Sequence, residues 1–201
     1  MDSPIARRWP LVAGLVVLAL TLAVLVHPGP LPGELGYLHR LQDLGEPVPT
    51  LAEIVRATTG TEAALVVLIV PAAWMVWRHR IAGAIAVAIA LASMLVVQPL
   101  MKEVVDRPRP SVEQVDVRAE HESMSFPSGH SLSTTTVWGA IAGFAWLHGR
   151  RRLAAIAVLP IVLTVFSSGV QGVHWPSDAL AGTLLGALAA RAELASTIRS
   201  A

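Results

Sequence analysis

Long apolar segments that alternate with short polar ones are the strongest constraint on the fold of this chain. A helix of about 20 apolar residues crosses the roughly 30 Å hydrocarbon core of a bilayer. Hydropathy predicts six such spans, at Pro10–Val26, Glu62–Trp77, Ile81–Met101, Leu132–Leu147, Leu153–Val170 and Ser177–Leu194. The composition agrees, since 54% of the 201 residues are hydrophobic and only 14% are charged, which is unusual for a soluble domain. We therefore expect an all-α, polytopic membrane protein with six transmembrane helices in one bundle.

The cysteine count and the net charge exclude several classes of function. The chain has no cysteine and a formal net charge of +1, which excludes disulfides and thiolate nucleophiles and argues against a nucleic-acid partner. Arg7 and Arg8 precede an apolar run, which also fits a cleaved signal peptide. No A-x-A site stands before His27, so we favour an uncleaved first span. Residues 1–201 are expected to form a single membrane domain.

The positive charges predict the orientation of the chain. In the six-span topology nine arginines fall on one side, namely Arg7, Arg8, Arg78, Arg80, Arg150, Arg151, Arg152, Arg191 and Arg199. The other side carries Arg40, Arg56, Arg118 and two polar segments described below. Because cytoplasmic loops are enriched in Lys and Arg, we expect both termini in the cytoplasm. The polar segments of this inner (plasma) membrane protein would then face the extracytoplasmic side.

Two further patterns predict local structure. Leu35, Leu38, Leu41 and Leu44 recur every third residue within the long segment 27–60, which favours a short interfacial helix after the first span. Whether this segment covers a pocket stays open. Two pairs of glycines four residues apart predict close helix contacts, at Gly139 and Gly143 and at Gly182 and Gly186.

The first polar segment contains a cluster of cations. Lys102, Arg107 and Arg109 lie within eight residues, and Pro108 and Pro110 stiffen the backbone between and after the arginines. Lys102 alone could be a lysine that extends from a helix end to the membrane surface. Three cations on one rigid segment repel each other unless an anion lies among them, so the segment predicts an anion site.

The same segment ends in Pro127-Ser128-Gly129-His130. These residues could simply form a turn in which Ser128 caps the fourth helix. A helix N-terminus with free N–H groups is also an anion site. His130 would then lie in the first turn, where an imidazole can donate a proton to a bound phosphate ester.

The second polar segment contains His174 and Asp178, four residues apart. If a helix begins near His174, the two side chains share one face. A carboxylate bonded to one ring nitrogen makes the other nitrogen a better nucleophile or base. A capping aspartate beside an interfacial histidine is the alternative. A metal site is not favoured, because no third or fourth ligand stands at a suitable spacing.

Together these motifs resemble the type 2 phosphatidic acid phosphatase superfamily, a family of membrane lipid phosphatases and soluble relatives. The resemblance rests on Lys-x6-Arg-Pro from Lys102 to Pro110, Pro-Ser-Gly-His at 127–130 and His-x3-Asp at 174–178, and it covers about residues 60–195. It implies that His174 attacks phosphorus, that Asp178 orients His174, and that His130 protonates the leaving oxygen. It implies that no metal or other cofactor is required. The implied phosphate ligands are Lys102, Arg109, Ser128 and Gly129, to which we add Arg107 from the same cationic segment.

One position departs from the family pattern. The third motif of the family begins Ser-Arg, and the place of that arginine is occupied by Ser168, which follows Ser167. A charged hydrogen bond to phosphate is worth roughly 1.5–3 kcal/mol, so its loss would slow turnover. Arg107 or Arg118 could compensate, or Ser168 could be an engineered substitution or mark a weakened natural member. The sequence leaves these alternatives open.

We therefore expect a membrane enzyme that hydrolyses a phosphate or diphosphate monoester of an outer-leaflet lipid. Polyprenyl diphosphate is the first candidate, and phosphatidylglycerophosphate and phosphatidate follow. A lipid phosphotransferase, or a lipid-phosphate-binding carrier with little turnover, are the alternatives. The expected partners are the membrane and its lipid substrate, and the sequence does not predict an oligomeric state.

Overall fold

The fold is all-helical throughout the residues that the structure describes. The computed structural model describes residues 4–79, 81–119 and 122–198, and no residue in these ranges forms a β-strand. The helices are α1 Pro4–Val26, α2 Glu34–Gln42, α3 Val48–Thr58, α4 Thr61–His79, α5 Ile81–Ala92, α6 Gln98–Val105, α7 Gly129–Leu147, α8 Arg151–Val170 and α9 Pro176–Ile198. A π-helical turn, Ser93–Val97, joins α5 directly to α6.

In the part of the chain that the structure describes, four helical segments are long and apolar enough to cross a membrane, namely Arg8–Val26, Thr61–Arg78, Ile81–Val105 and Arg151–Val170. They match the first, second, third and fifth predicted spans. The fourth and sixth predicted spans are also helices, α7 and α9, but they are more polar. α7 begins with a run of hydroxyl side chains, and α9 carries Arg191 and Glu193 near its end. The all-helical class is confirmed, whereas six transmembrane helices stay a prediction.

The π-helical turn is the local response to a proline inside the third span. Pro99 has no N–H and its ring would clash with the carbonyl of Leu95, so an undistorted α-helix cannot pass through it. Instead the Gln98 N–H donates to the carbonyl of Ser93, five residues back, which is the π-helical hydrogen bond. The helix therefore continues, and the side chain of Gln98 lies against Gly129 at the start of α7.

α7 and α9 pack closely because glycines leave room for the neighbouring backbone. A Cβ atom at Gly186 would lie 2.5 Å from the carbonyl of Leu132, and one at Gly182 would collide with the carbonyl of Ser128. Gly139 similarly faces Ala190. The predicted close contacts at the paired glycines are thus confirmed. These contacts extend from Ser128 to Gly139, so α7 and α9 lie close together over several turns.

The two ends of the bundle differ in chemistry. At one end, the last turns of α1 and α6 pack beside the starts of α7 and α9 through Val24, Val105, Phe126 and Ala181. At the other end, two guanidinium groups lie over tryptophan rings: Arg191 over Trp9 and Arg151 over Trp146. Both polar segments lie at the first end.

The segment between α1 and α4 forms two short helices rather than the one that leucine spacing predicted. Leu38 of α2 is completely buried against Val115 and Trp175, and Leu41 contacts Gly169 of α8. α3 packs against α8. Both helices therefore lie at the end of the bundle that carries the polar segments. Their position at a membrane interface stays a prediction.

The glycine contact between α7 and α9 gives a test of the packing. In Gly186→Ala the new methyl group would meet backbone atoms that cannot rotate away, and such overpacking costs about 1–3 kcal/mol. We expect a lower thermal unfolding midpoint in detergent. Gly14→Ala is the matched control, since no atom lies within 4 Å of a Cβ at Gly14. Equal midpoints for the two variants would contradict this account of the packing.

Candidate active site

His174 lies where a tight turn links α8 to α9. Gly172 has a positive φ of 64°, which glycine adopts without strain, and a Cβ there would lie 2.6 Å from the carbonyl of Asp116. The turn directs a buried His174 side chain inward. Its two ring nitrogens face different groups: Nδ1 lies 3.6 Å from Oδ2 of Asp178, and Nε2 lies 3.2 Å from Nη1 of Arg109.

Asp178 both caps α9 and contacts the imidazole. Its Oδ2 accepts a 2.9 Å hydrogen bond from the N–H of Trp175, three residues earlier, as in a capping box. Oδ2 also accepts from the hydroxyl of Ser125, which lies 3.4 Å from Nδ1 of His174. The sequence left open whether Asp178 caps α9 or is the partner of His174. In the structure the same carboxylate does both.

Arg107 occupies a different place from the one expected. We expected it among the phosphate ligands, but its side chain is completely buried and lies on Oδ1 of Asp178, while His174 faces Oδ2. The guanidinium makes five hydrogen bonds, to the carbonyls of Pro28 and Gly29 and to the side chains of Glu34, Ser177 and Asp178. With its donors directed to protein groups, Arg107 is suited to holding Asp178 in place rather than to binding phosphate.

Glu34 completes this buried network from α2. Its Oε2 lies 2.8 Å from Nη2 of Arg107, and its Oε1 accepts hydrogen bonds from the N–H and the hydroxyl of Ser177 in the first turn of α9. A carboxylate at a helix N-terminus also interacts favourably with the helix dipole. Glu34 thus ties α2 to the helix that carries Asp178.

Lys102 and Arg109 converge on one short piece of chain. Nζ of Lys102 donates to the hydroxyl of Ser123 at 2.9 Å and to the carbonyl of Met124 at 2.7 Å. Arg109 donates to the carbonyl of Ser123 at 2.7 Å and to that of Val173 at 2.6 Å. The two expected phosphate ligands therefore lie together, and Arg109 lies directly beside the imidazole of His174.

The Pro-Ser-Gly-His segment begins α7, as its sequence predicted. Ser128 is the N-cap, and its Oγ accepts from the N–H of Ser131 at 3.4 Å. The N–H of Ser128 donates to the carbonyl of Asp178 at 3.0 Å, so the starts of α7 and α9 are bonded to each other. His130 lies in the first turn, where its Nε2 would be 3.0 Å from a Cβ at Gly60.

Residues 81–199 match the PAP2 superfamily. This chain belongs to that family. The resemblance that the three motifs carried is thereby confirmed.

Curated relatives in the family act on lipid phosphates according to their names. A decaprenylphosphoryl-5-phosphoribose phosphatase of Mycobacterium tuberculosis is 36% identical over 89 residues, which cover 44% of this chain and 46% of that protein. Phosphatidylglycerophosphatase B of Bacillus subtilis is 34% identical over 95 residues, covering 44% and 45%. The matched part thus spans a little under half the length of each of these relatives.

The crystal structure of a transmembrane PAP2-type phosphatidylglycerolphosphate phosphatase from Bacillus subtilis has a similar fold. The superposition covers 94% of this chain and 95% of that one, with a TM-score of 0.79 and 22% sequence identity. At this identity the similarity concerns the fold. It extends through α1–α4, which lie before the residues that match the family.

The electrostatic environment of this PAP2 chain favours a neutral His174. Burial, together with the charges of Arg109, Lys102 and Arg56 and the nearby His130, holds the pKa of His174 well below its usual value. Burial also lowers the pKa of Arg109 to about 10, and the Asp178 carboxylate partly opposes that shift. At neutral pH the site therefore combines an uncharged imidazole with charged guanidinium groups.

Sequence reasoning missed two charged residues of this site. Glu34 and Arg56 lie outside the motifs, in the segment between the first two predicted spans, and nothing in the local pattern marked them. Two arginines were suggested as replacements for the missing one. Arg107 is bonded to Glu34 and Asp178, and Arg118 pairs with Asp116 at 2.7 Å. The guanidinium that lies beside Ser168 is that of Arg56.

A cavity of about 550 Å³ lies beside His174 and Ser168, between α2, α8 and α9. Its other walls include Tyr37, Val165 and Leu180. Over the described ranges, no group of three His, Asp or Glu side chains is arranged as a metal site. Metal independence stays a prediction.

The buried network around Arg107 gives a test of what holds the site together. Arg107→Ala would leave the carboxylates of Glu34 and Asp178 buried without their shared cation, and breaking such a pair costs about 3–5 kcal/mol. We expect this loss in the free energy of unfolding measured in mixed micelles. Arg118→Ala is the control, because its partner Asp116 is exposed and surface pairs contribute about 0–1 kcal/mol. A similar loss in both variants would contradict the role given to Arg107.

Proposed function

We propose that this PAP2 chain is a membrane lipid phosphatase in which His174 forms a phosphohistidine intermediate. The observation that carries the proposal is the orientation of the imidazole. Nδ1 faces Asp178 and Ser125, whereas Nε2 faces Arg109. A nucleophile in this position would meet the phosphorus of an ester whose oxygens are held by Arg109 and Lys102.

The first step would transfer the phosphoryl group to the protein. Nε2 of His174 bonds to phosphorus while the bond from phosphorus to the lipid oxygen breaks, and His130 gives that oxygen a proton. The lipid leaves as an alcohol, or as a monophosphate when the substrate is a diphosphate. Asp178 would stabilise the positive charge that develops on the imidazole, as a buried carboxylate does in other nucleophile–histidine pairs.

The second step would release phosphate. Water attacks the phosphorus of the phosphohistidine, His130 takes the proton that the water loses, and the bond to Nε2 breaks. Inorganic phosphate is released, and His174 returns to its neutral form. In both steps the developing charge lies on the phosphoryl oxygens, where preorganised cations and helix N–H groups give the largest stabilisation.

The low pKa of His174 supports this division of roles. A protonated imidazole has no lone pair with which to attack, and the cations around His174 keep it neutral before substrate binds. A bound phosphate dianion would neutralise much of that positive charge. The positive charge that forms on the imidazole during attack would then be repelled less. The same cations thus act first on the nucleophile and then on the substrate.

The proposed substrates are phosphate or diphosphate monoesters of outer-leaflet lipids. The cavity beside His174 has apolar walls at Val165 and Leu180, which suits the part of a lipid next to its head group. Polyprenyl diphosphate is the first candidate, followed by phosphatidylglycerophosphate and phosphatidate. The names of the relatives include both polyprenyl lipids and phospholipids. They therefore support a lipid phosphate as the substrate and do not distinguish among the three candidates.

The principal test is phosphate release by the purified protein from these three lipids, measured both without and with a metal chelator. We expect His174→Ala to lose turnover by about 10³-fold or more, as removal of a nucleophile does. His148→Ala is the matched control, because His148 is exposed and lies at the opposite end of α7. Only the wild type and the control should yield an acid-labile phosphoprotein.

Each other outcome rejects a defined part of the proposal. Release that survives His174→Ala would remove the phosphohistidine. A phosphorylated acceptor without free phosphate would identify a phosphotransferase. Binding of lipid phosphate with no release by the wild type would identify a carrier, and loss of turnover with chelator would reject metal independence.

We also propose that the site faces the extracytoplasmic side, because the arginine-rich end of the bundle should be cytoplasmic. The chain has no cysteine, so Val112→Cys places a single exposed thiol near Arg109, and Arg150→Cys places one at the other end. We expect a membrane-impermeant maleimide to label Val112→Cys in intact cells and Arg150→Cys only after permeabilisation. The reverse pattern would reject the orientation.

A further inference from the structure

The structure suggests how this chain compensates for the serine at position 168. Ser168 lies in the last turn of α8 and is almost completely buried. Its hydroxyl donates to the carbonyl of Thr164 at 2.9 Å, so the side chain turns back along its own helix. Ser168 also lines the cavity that contains His174. A short neutral side chain at this place leaves space for a group from another element.

Arg56 reaches that place from α3. Its Nη1 donates to Oγ of Ser168 across a 3.4 Å distance, in a contact between residues 112 positions apart. The side chain is buried, with 8% of its surface exposed. A guanidinium from the last turn of α3 thus lies next to the side chain of Ser168.

Arg56 also acts on the site through its charge. Its charge is one of those that hold the pKa of His174 low. Burial, and then the charge of Arg109, lower the pKa of Arg56 itself to about 10. Arg56 is therefore still charged at neutral pH, and its charge acts on both Arg109 and His174.

The chain that follows Arg56 is fixed to α7. Oγ1 of Thr134 donates to the carbonyl of Thr59 at 3.3 Å, and the hydroxyls of Thr61 and Ser133 are 2.9 Å apart. Gly60, between them, lies against the ring of His130. Because α3 also packs on α8, Arg56 is held by the helix that carries Ser168 and, through this short connection, by the helix that carries His130.

We propose that Arg56 binds the substrate phosphate beside Ser168, and so supplies from α3 the positive charge that position 168 lacks. This inference rests on the proposed phosphatase function and extends it. Two of the phosphate-binding cations then come from α6 and the loop after it, and the third comes from a helix outside the residues that match the family. On this account Ser168 is neither a lesion nor an inhibitory change.

The test is to move the charge between the two positions. We expect Arg56→Gln to lower kcat/KM about 10- to 100-fold, the loss that corresponds to one charged hydrogen bond to phosphate. The double variant Arg56→Gln with Ser168→Arg should recover most of it. Ser168→Arg alone should give no gain, because two guanidinium groups would repel each other in one buried space. Arg40→Gln, an exposed arginine of α2, is the matched control and should leave kcat/KM unchanged.

A pH profile separates this role from a purely structural one. Since Arg56 lowers the pKa of His174, its removal should raise that pKa, and the acid limb of kcat/KM should move to higher pH. Arg56→Lys, which keeps a charge, should shift the limb less. A variant that has merely lost packing would lower the amount of active protein and leave the limb in place, which would overturn the proposal.

The result can be distinguished from failure of the phosphatase function itself. If the wild type releases phosphate and His174→Ala does not, an unaffected Arg56→Gln, a double variant no better than Arg56→Gln, or a gain from Ser168→Arg alone would each overturn the role of Arg56. If the wild type releases no phosphate from any lipid, inorganic phosphate is the probe. It should raise the thermal midpoint of the wild type and of Arg40→Gln but not of Arg56→Gln, and equal shifts would overturn the proposal.

Discussion

The rest of the site depends on one buried carboxylate. Asp178 accepts hydrogen bonds from the N–H of Trp175 and the hydroxyl of Ser125, pairs with Arg107, and contacts the ring of His174. A buried charge is costly unless its lone pairs are occupied, and here they are. The start of α9, the loop before it and the imidazole are therefore fixed by a single group.

Opposite charges divide the site into two regions that meet at His174. On its Nδ1 side lies the network of Glu34, Arg107 and Asp178, in which each charge has a partner. On its Nε2 side lies Arg109, with Lys102 bonded to the same stretch of chain. An imidazole between a carboxylate and a group of cations is oriented by the first and kept neutral by the second, and both effects would favour the proposed attack by Nε2.

Local patterns were sufficient for the long helices and for the positions of the motif residues along them, and insufficient for the residues that pair across the fold. His130, His174 and Asp178 are recognisable because their spacing relates them to a helix start. Glu34 is not, since its partner Arg107 stands 73 residues away and only the packing of α2 against α9 brings them together. Arg107 lies away from its expected place for the same reason: its sequence neighbours are phosphate-binding candidates, but a left-handed Asp106 separates it from α6 and its side chain joins the buried network.

The serine at position 168 shows that a motif need not identify every charged residue of a site. A phosphate responds to the position of a positive charge and not to the helix from which that charge comes. The proposed nucleophilic attack, in contrast, depends on His174 and Asp178 lying four residues apart at the start of α9, and a residue on another helix could not reproduce that geometry. A cation at the edge of the site can be provided by any neighbouring helix that packs closely enough, and α3 packs against α8 at the turn that contains Ser168. Under the proposed role of Arg56, the departure from the motif and the presence of Arg56 outside it are two consequences of the same requirement for charge.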